Sequence, residues 1–212
     1  MSVPKHAAAG AISAGIVAGA LARGSETYGA WPWLAAAAAA PVTVATWDLR
    51  EHLKDPCQAL IWGSLPVLLW HQTEEWVLPG GFLPWFNLTV WKSGRAEYPV
   101  TPQIALRINV LAGWGVTLLA AATVRRFPAI AAGVLANHAG NALLHGGQAL
   151  VQRRYNPGLL SGVLAMGPLG AAGTAVIVLR GRSPRPLTAA GGAVGGLGAV
   201  AAFATFRRRA RS

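Results

Sequence analysis

The sequence predicts an all-α fold, a polytopic transmembrane bundle of about six or seven helices, and three observations predict it. Only 12% of the 212 residues are charged, against about 25% in an ordinary soluble domain. Apolar stretches long enough to cross a bilayer recur along the whole chain. The formal charge of +11 is carried largely by arginines in the gaps between those stretches and at the tail: Arg125 and Arg126, Arg153 and Arg154, Arg180, Arg182 and Arg185, then Arg207, Arg208, Arg209 and Arg211. Basic residues so placed suit loops at an anionic lipid surface, with membrane lipids as partners, and argue against nucleic acid. The length fits a single integral membrane domain over residues 1–212, closed by a basic tail at 207–212.

Seven segments are expected. The first, Ala7–Ala22, is rich in alanine and glycine and reads as a retained span, with a cleaved signal peptide as the rival reading. The second is Trp31–Trp47, with Pro41 as a kink. The third, Cys57–Leu78, carries the densest polar cluster. The fourth is Ile104–Val124. The fifth, Pro128–Val151, has proline at its first turn, where the missing N–H costs nothing. Gly158–Leu179 and Pro186–Phe206 follow. Between the third and fourth, residues 79–102 alternate aromatic and polar residues (Trp85, Phe86, Trp91, Tyr98), which suits a lid lying at headgroup depth. The lone cysteine, Cys57, excludes an intrachain disulfide and fits inert packing. Basic residues on the two sides nearly balance, and the arginine tail tips the C-terminus toward the cytoplasm.

Two polar stripes interrupt the apolar pattern. In the third segment, His71 lies about 60° from Glu74 and about 40° from Glu75 on a helical wheel, so all three share one face while Gln72 and Thr73 point elsewhere. In the fifth, Asn141, His145 and Gln148 fall on one face, with Asn137 one turn back and His138 at the flank. Gly133, Ala136, Gly140, Gly146 and Gly147 allow close helix approach there. A polar stripe on a membrane helix faces the bundle interior, and the simplest solution sets the two stripes against each other. His71 and His145 would then supply imidazole nitrogens, and Glu74 or Glu75 a carboxylate, to a divalent metal such as iron, zinc or manganese with positions left open. Glu75 and Asn141 are the residues expected to serve catalysis, the glutamate as general base and the asparagine, like Gln148, as an orienting group. The bland readings are an interfacial cluster just past the end of a shorter helix for the first stripe, and interhelical hydrogen bonding for the second. Asn109 reads as interhelical glue or a fourth contributor. Tyr155 to Gly158 reads as a tight turn, with Tyr155 able to close one side of the site.

His71-Gln72-Thr73-Glu74-Glu75-Trp76, followed by PGGFLPWFN, resembles the HXXEE family of bacterial membrane proteins. The resemblance extends to the Asn141–His145 pair and to the Tyr155–Gly158 turn, over roughly residues 31–180. It implies a multi-span helical protein of the bacterial inner membrane with a metal site at His71, Glu74, Glu75 and His145. It implies no substrate. Three functions are therefore open: a membrane-embedded metal-dependent hydrolase or non-haem iron oxidoreductase acting on a lipid or other hydrophobic small molecule, a proton- or cation-coupled transporter, and an accessory protein that uses its polar face to hold helices together.

Overall fold

The computed structural model describes residues 27–180 and 184–210, and among these every regular element is helical. The predicted segment Ala7–Ala22 lies outside the described residues. Helix α1 spans Thr27–Arg50 around an alanine run, and its helical course passes through both Pro32 and Pro41. Helix α2 spans Pro56–Trp76; Asp55 caps it by accepting from the Cys57 N–H, and Pro56 occupies the first turn. A short helix, α3, covers residues 82–90. Helices α4 (Pro102–Thr123), α5 (Pro128–Gln152), α6 (Leu159–Arg180) and α7 (Arg185–Ala210) complete the bundle. The ends of α1, α2 and α4–α7 fall within four residues of the sequence expectation.

Core contacts fix the direction of each helix. Cys57 and Ile61 at the start of α2 pack with Ala120, Ala121 and Val124 at the end of α4, with Ala131 and Ala132 near the start of α5, and with Ile177 near the end of α6. Successive helices α4, α5 and α6 therefore run up and down. The opposite end is closed by aromatic packing of Trp76, Phe82, Phe86 and Trp91 with Val100, Ala105 and Phe206. Trp31 of α1 packs edge-on against Trp76, with ring centroids 4.9 Å apart. Residues 79–102, expected as a lid, belong to this aromatic end.

Helix α5 is the central element, packed by α7, α6, α4 and α2. Its contact with α7 depends on small residues. A Cβ on Gly191 or Gly195 would overlap the backbone of Ala129 or Gly133, so the two helices meet along an Ala-x-x-x-Gly and a Gly-x-x-x-Gly face at backbone distance. Three helices carry widened π-helical stretches: Phe86–Val90 in α3, Arg107–Gly115 in α4 and Gly162–Met166 in α6. Such stretches re-aim side chains and concentrate at functional sites.

Helices α4 and α6 are long and apolar enough to cross a membrane, with mean hydropathies of 1.6 and 1.9. Among the described residues no other helix meets the same measure. Helices α2 and α5 are of sufficient length, and their polar stripes lower their hydropathy. Interhelical hydrogen bonding also spans the bundle: Gln72 of α2 donates to Asn109 Oδ1 of α4 at 3.0 Å and accepts from Trp114 Nε1 at 2.6 Å. Asn109 thus serves as glue.

Gly195→Ala is expected to destabilise the protein by about 1–3 kcal/mol, the usual cost of overpacking, read as a lower thermal midpoint in detergent. Gly196→Ala, where the new Cβ meets nothing within 4 Å, is expected to leave the midpoint unchanged or higher.

Candidate metal centre

Helix α2 continues unbroken through the polar cluster to Trp76. His71 and Glu75 therefore project from one helical face, a turn apart, rather than from a loop beyond it. Helix α5 brings His145 to the same point. Glu75 Oε1 lies 3.4 Å from His71 Nε2 and 3.1 Å from His145 Nε2, and the three residues are 5% exposed or less. The expected meeting of the two stripes is realised by these three side chains, whose ligand atoms all lie within 4.8 Å of one another.

The surrounding hydrogen bonds fix what each imidazole presents. Ser161 Oγ donates its single proton to Glu74 Oε2. Its bond to His71 Nδ1, at 3.0 Å, must then be accepted from an Nδ1–H, which leaves His71 Nε2 as a lone pair in the neutral ring. Asn141 Nδ2, 3.0 Å away, donates to that lone pair. His145 is fixed in the same way. Asn156 Nδ2 donates to the His145 carbonyl at 2.9 Å, so its Oδ1 is the atom 2.8 Å from His145 Nδ1 and accepts from Nδ1–H. His145 Nε2 is buried and has no hydrogen bond. Glu75 Oε1 lies close to it without the alignment of one. With both rings neutral, the His145 Nε2 lone pair, the His71 Nε2 lone pair that Asn141 engages and a Glu75 oxygen thus converge on one point. A cation satisfies all three at once, and Nδ1–H held by outer partners is the usual support of a metal-bound histidine. The residues fit a divalent metal held by His71, Glu75 and His145.

The family model described as "protein of unknown function with HXXEE motif" matches residues 62–172, just over half of the chain. The chain belongs to the HXXEE family. The match starts and ends inside the 31–180 range expected from the sequence. No curated protein and no solved structure is found to be similar to the chain.

Within the HXXEE motif the two glutamates divide. Glu74 turns away from the imidazole nitrogens and caps the start of α6. Its Oε1 accepts from Tyr155 Oη at 2.8 Å and Leu160 N–H at 2.9 Å, and its Oε2 from Ser161 N–H at 2.7 Å and the Ser161 hydroxyl. With both oxygens so occupied, Glu74 orients His71 through Ser161 and stands outside the ligand group. Partial burial and the Glu74 carboxylate raise the Tyr155 phenol above its ordinary pKa, so it remains a donor at neutral pH. Glu75 keeps Oε1 for the cluster, while its Oε2 accepts from Trp76 Nε1 at 3.2 Å.

Asn141 touches the centre as expected. Gln148 does not; its Oε1 accepts from Gln152 at 2.8 Å, one turn further along α5. Asn137 and His138 line the cavity beside the centre. Ser161, Asn156, Gly158, Phe82 and Trp85 were not expected at the site. Trp85 stacks on the His145 ring at 5.9 Å, with Phe82 at 6.0 Å, which fixes the ring and excludes water. Gly158, at φ +90°, lies over the cluster: a Cβ there would sit 2.7 Å from Glu75 Cγ, 2.8 Å from His71 Cε1 and 2.9 Å from His145 Cε1. The Asn-Pro-Gly turn thus supplies both an orienting amide and the one backbone without a side chain that can close over three ligands. The sequence marked this turn by its place beside the second stripe and its part in the HXXEE resemblance, with Tyr155 rather than Gly158 expected to close the site.

Glu75 is the cluster residue that lies on the wall of a mostly apolar cavity of about 750 Å³, together with Trp76, Phe82, Asn141 and Leu144.

Asn156→Ala, which frees the His145 ring, is expected to weaken zinc binding by about 10–100-fold, the usual cost of losing an outer partner. Gly158→Ala is expected to abolish binding by driving the three ligands apart. Titration calorimetry on folded, detergent-purified protein measures both.

Proposed function

We propose that this HXXEE protein is an integral membrane metalloenzyme acting on a lipid or other hydrophobic small molecule. The observation that carries the reading is a buried His-Glu-His group whose Glu75 lies on the wall of a mostly apolar cavity. A hydrophobic substrate would leave the bilayer for that cavity and meet the centre at its end.

Membrane residence is supported by an inverted pattern of burial. Leu143, Leu150, Val151, Leu164 and Val194 are more than 70% exposed, whereas His71, Gln72, Glu75, His145 and Asn156 are 5% exposed or less. Exposed apolar surface on this scale favours lipid as solvent, and the buried polar groups mark the interior of a membrane bundle. All six long helices, α1, α2 and α4–α7, would then cross, in keeping with about six or seven spans in a bacterial inner membrane.

His71, Glu75 and His145 would hold the metal, with Glu74 supporting it through Ser161. Bound there, iron, zinc or manganese would supply Lewis acidity or redox chemistry with open coordination positions. Asn141 Nδ2 would turn from His71 to the substrate oxygen once Nε2 is engaged. Phe82, Trp85 and the Gly158 turn would keep water from the centre. Glu75 would hold or release a proton through whichever oxygen is not engaged.

A second reading has one specific support. Tyr155, Glu74, Ser161 and His71 form a continuous hydrogen-bonded line from an exposed phenol to the buried centre, which suits a proton relay or a proton-coupled transporter.

Elemental analysis of purified protein separates the two. The enzyme reading expects stoichiometric metal that is lost in His71→Ala and in His145→Ala and retained in Glu74→Gln. Folded wild type that takes up no metal on reconstitution, yet moves protons in liposomes, would establish the relay instead.

A further inference from the structure

The cavity has a shape that narrows the substrate class. Its wall runs from Ala129 to Leu144 on α5 and from Gly191 to Phe206 on α7, about 22 Å of helix in each case. One end reaches Glu75 of the cluster and Asn141; the far end is formed by Ala129, Ile130, Val116 and Gly191. The space is long, lies between α4 and α7 over the face of α5, and is apolar through most of its length. Its wall also carries Gln72 and Asn109, which hydrogen-bond each other, and Thr117, Asn137 and His138. That form accommodates an extended chain better than a compact ring system.

Both ends of the bundle are basic, but Arg50, Lys54, Arg125, Arg126, Arg180 and Arg185 at the far end share it with Asp48, Glu51 and Asp55, whereas the end holding the centre has Glu97. The end of the bundle holding the centre carries exposed Lys92, Arg95, Arg153, Arg154, Arg207 and Arg208, and Tyr98 Oη, from the aromatic connection, donates to the Arg209 carbonyl at 3.0 Å. The arginine tail is thereby held at the mouth end, beside the aromatic residues that close it. Basic side chains at this depth attract anionic head groups.

We propose that the cavity is the tail site for an amphiphile with one long unbranched acyl chain and an anionic head. The head lies at the His71–Glu75–His145 centre, and the chain runs along α5 and α7 toward Ala129. This assignment rests on the metalloenzyme reading for the role of the head, while the chain site itself stands on the cavity alone.

Gly198 tests it. This residue lines the cavity, and a Cβ there meets nothing within 4 Å, so Gly198→Phe fills the groove without disturbing helix packing. It lies about 12 Å along the helix from Phe206, below the room a short chain needs. Binding of radiolabelled palmitate, octanoate and hexadecanol would be measured on full-length wild type and Gly198→Phe in detergent, with metal content and thermal midpoint read on the same samples. Wild type should bind palmitate saturably and more tightly than hexadecanol. Gly198→Phe should lose palmitate affinity at least about tenfold, as expected when two or more methylenes are left unburied, and keep octanoate affinity, metal content and midpoint. Unchanged palmitate binding in a folded variant would overturn the chain site, and equal loss of palmitate and octanoate would overturn its direction. Hexadecanol bound as tightly as palmitate would overturn the anionic head. Chain-length discrimination in protein that holds no metal would leave the groove assignment standing and remove the metalloenzyme reading.

Discussion

The structure depends on one unfavourable meeting: a carboxylate oxygen and two imidazole nitrogens buried together, of which only His71 Nε2 has a donor, Asn141. Glu75 Oε1 lies within 3.4 Å of both ring nitrogens. A carboxylate and two neutral imidazole acceptors so placed repel one another and have lost the water that would satisfy them. The cost falls when the surrounding fold holds the groups in place and a proton or a cation joins them. Much of the bundle's polar structure serves the first condition. Ser161 and Asn156 each bind an Nδ1–H, Glu74 anchors Ser161, Trp76 takes the spare oxygen of Glu75, and the Gly158 backbone closes the top.

That requirement explains features that otherwise look unrelated. The connection from α5 to α6 is short and twice adopts positive φ, at Arg153 and Gly158. It must turn tightly enough for Asn156 to reach back to His145 and for Gly158 to pass over the ligands. Glu74, capping the first turn of α6, ties that turn to α2. The near-contact of α5 and α7 at Gly133 and Gly195 brings the far ends of these parallel helices together, and the cavity beside the centre lies along the same pair. Packing at one end of the bundle and the His-Glu-His cluster at the other are in this way linked through α5.

The helices were legible because apolar length and proline-led starts are local properties; Asp55-Pro56, Thr101-Pro102 and Pro128 each mark a beginning. The juxtaposition of His71 and Glu75 with His145 was legible from helical spacing and the cost of burying polar side chains in an apolar setting. The division of labour between Glu74 and Glu75 was not. A helical wheel places them on either side of His71 at similar angles, and the neighbour met on each side decides: α6 for Glu74, α5 for Glu75. Ser161 and Asn156 were missed because a lone serine or a turn asparagine carries no periodic signal, and Ser161 reaches its partner across 90 residues. Gln148 failed the opposite way: it lies on the correct stripe, but Gln152 gives it a nearer partner.

The central claim is that the protein holds both imidazoles as Nδ1–H tautomers with their Nε2 lone pairs turned to Glu75. Nitrogen-15 NMR on histidine-labelled protein, recorded before and after addition of zinc and assigned with His71→Gln and His145→Gln, tests it most directly. His71 and His145 are expected to carry a proton on Nδ1 and none on Nε2 without metal, and zinc is expected to shift the two Nε2 signals while leaving Nδ1 protonated. Rings protonated on both nitrogens at neutral pH, with no response to zinc, would contradict it and identify the cluster as an ion-paired proton site.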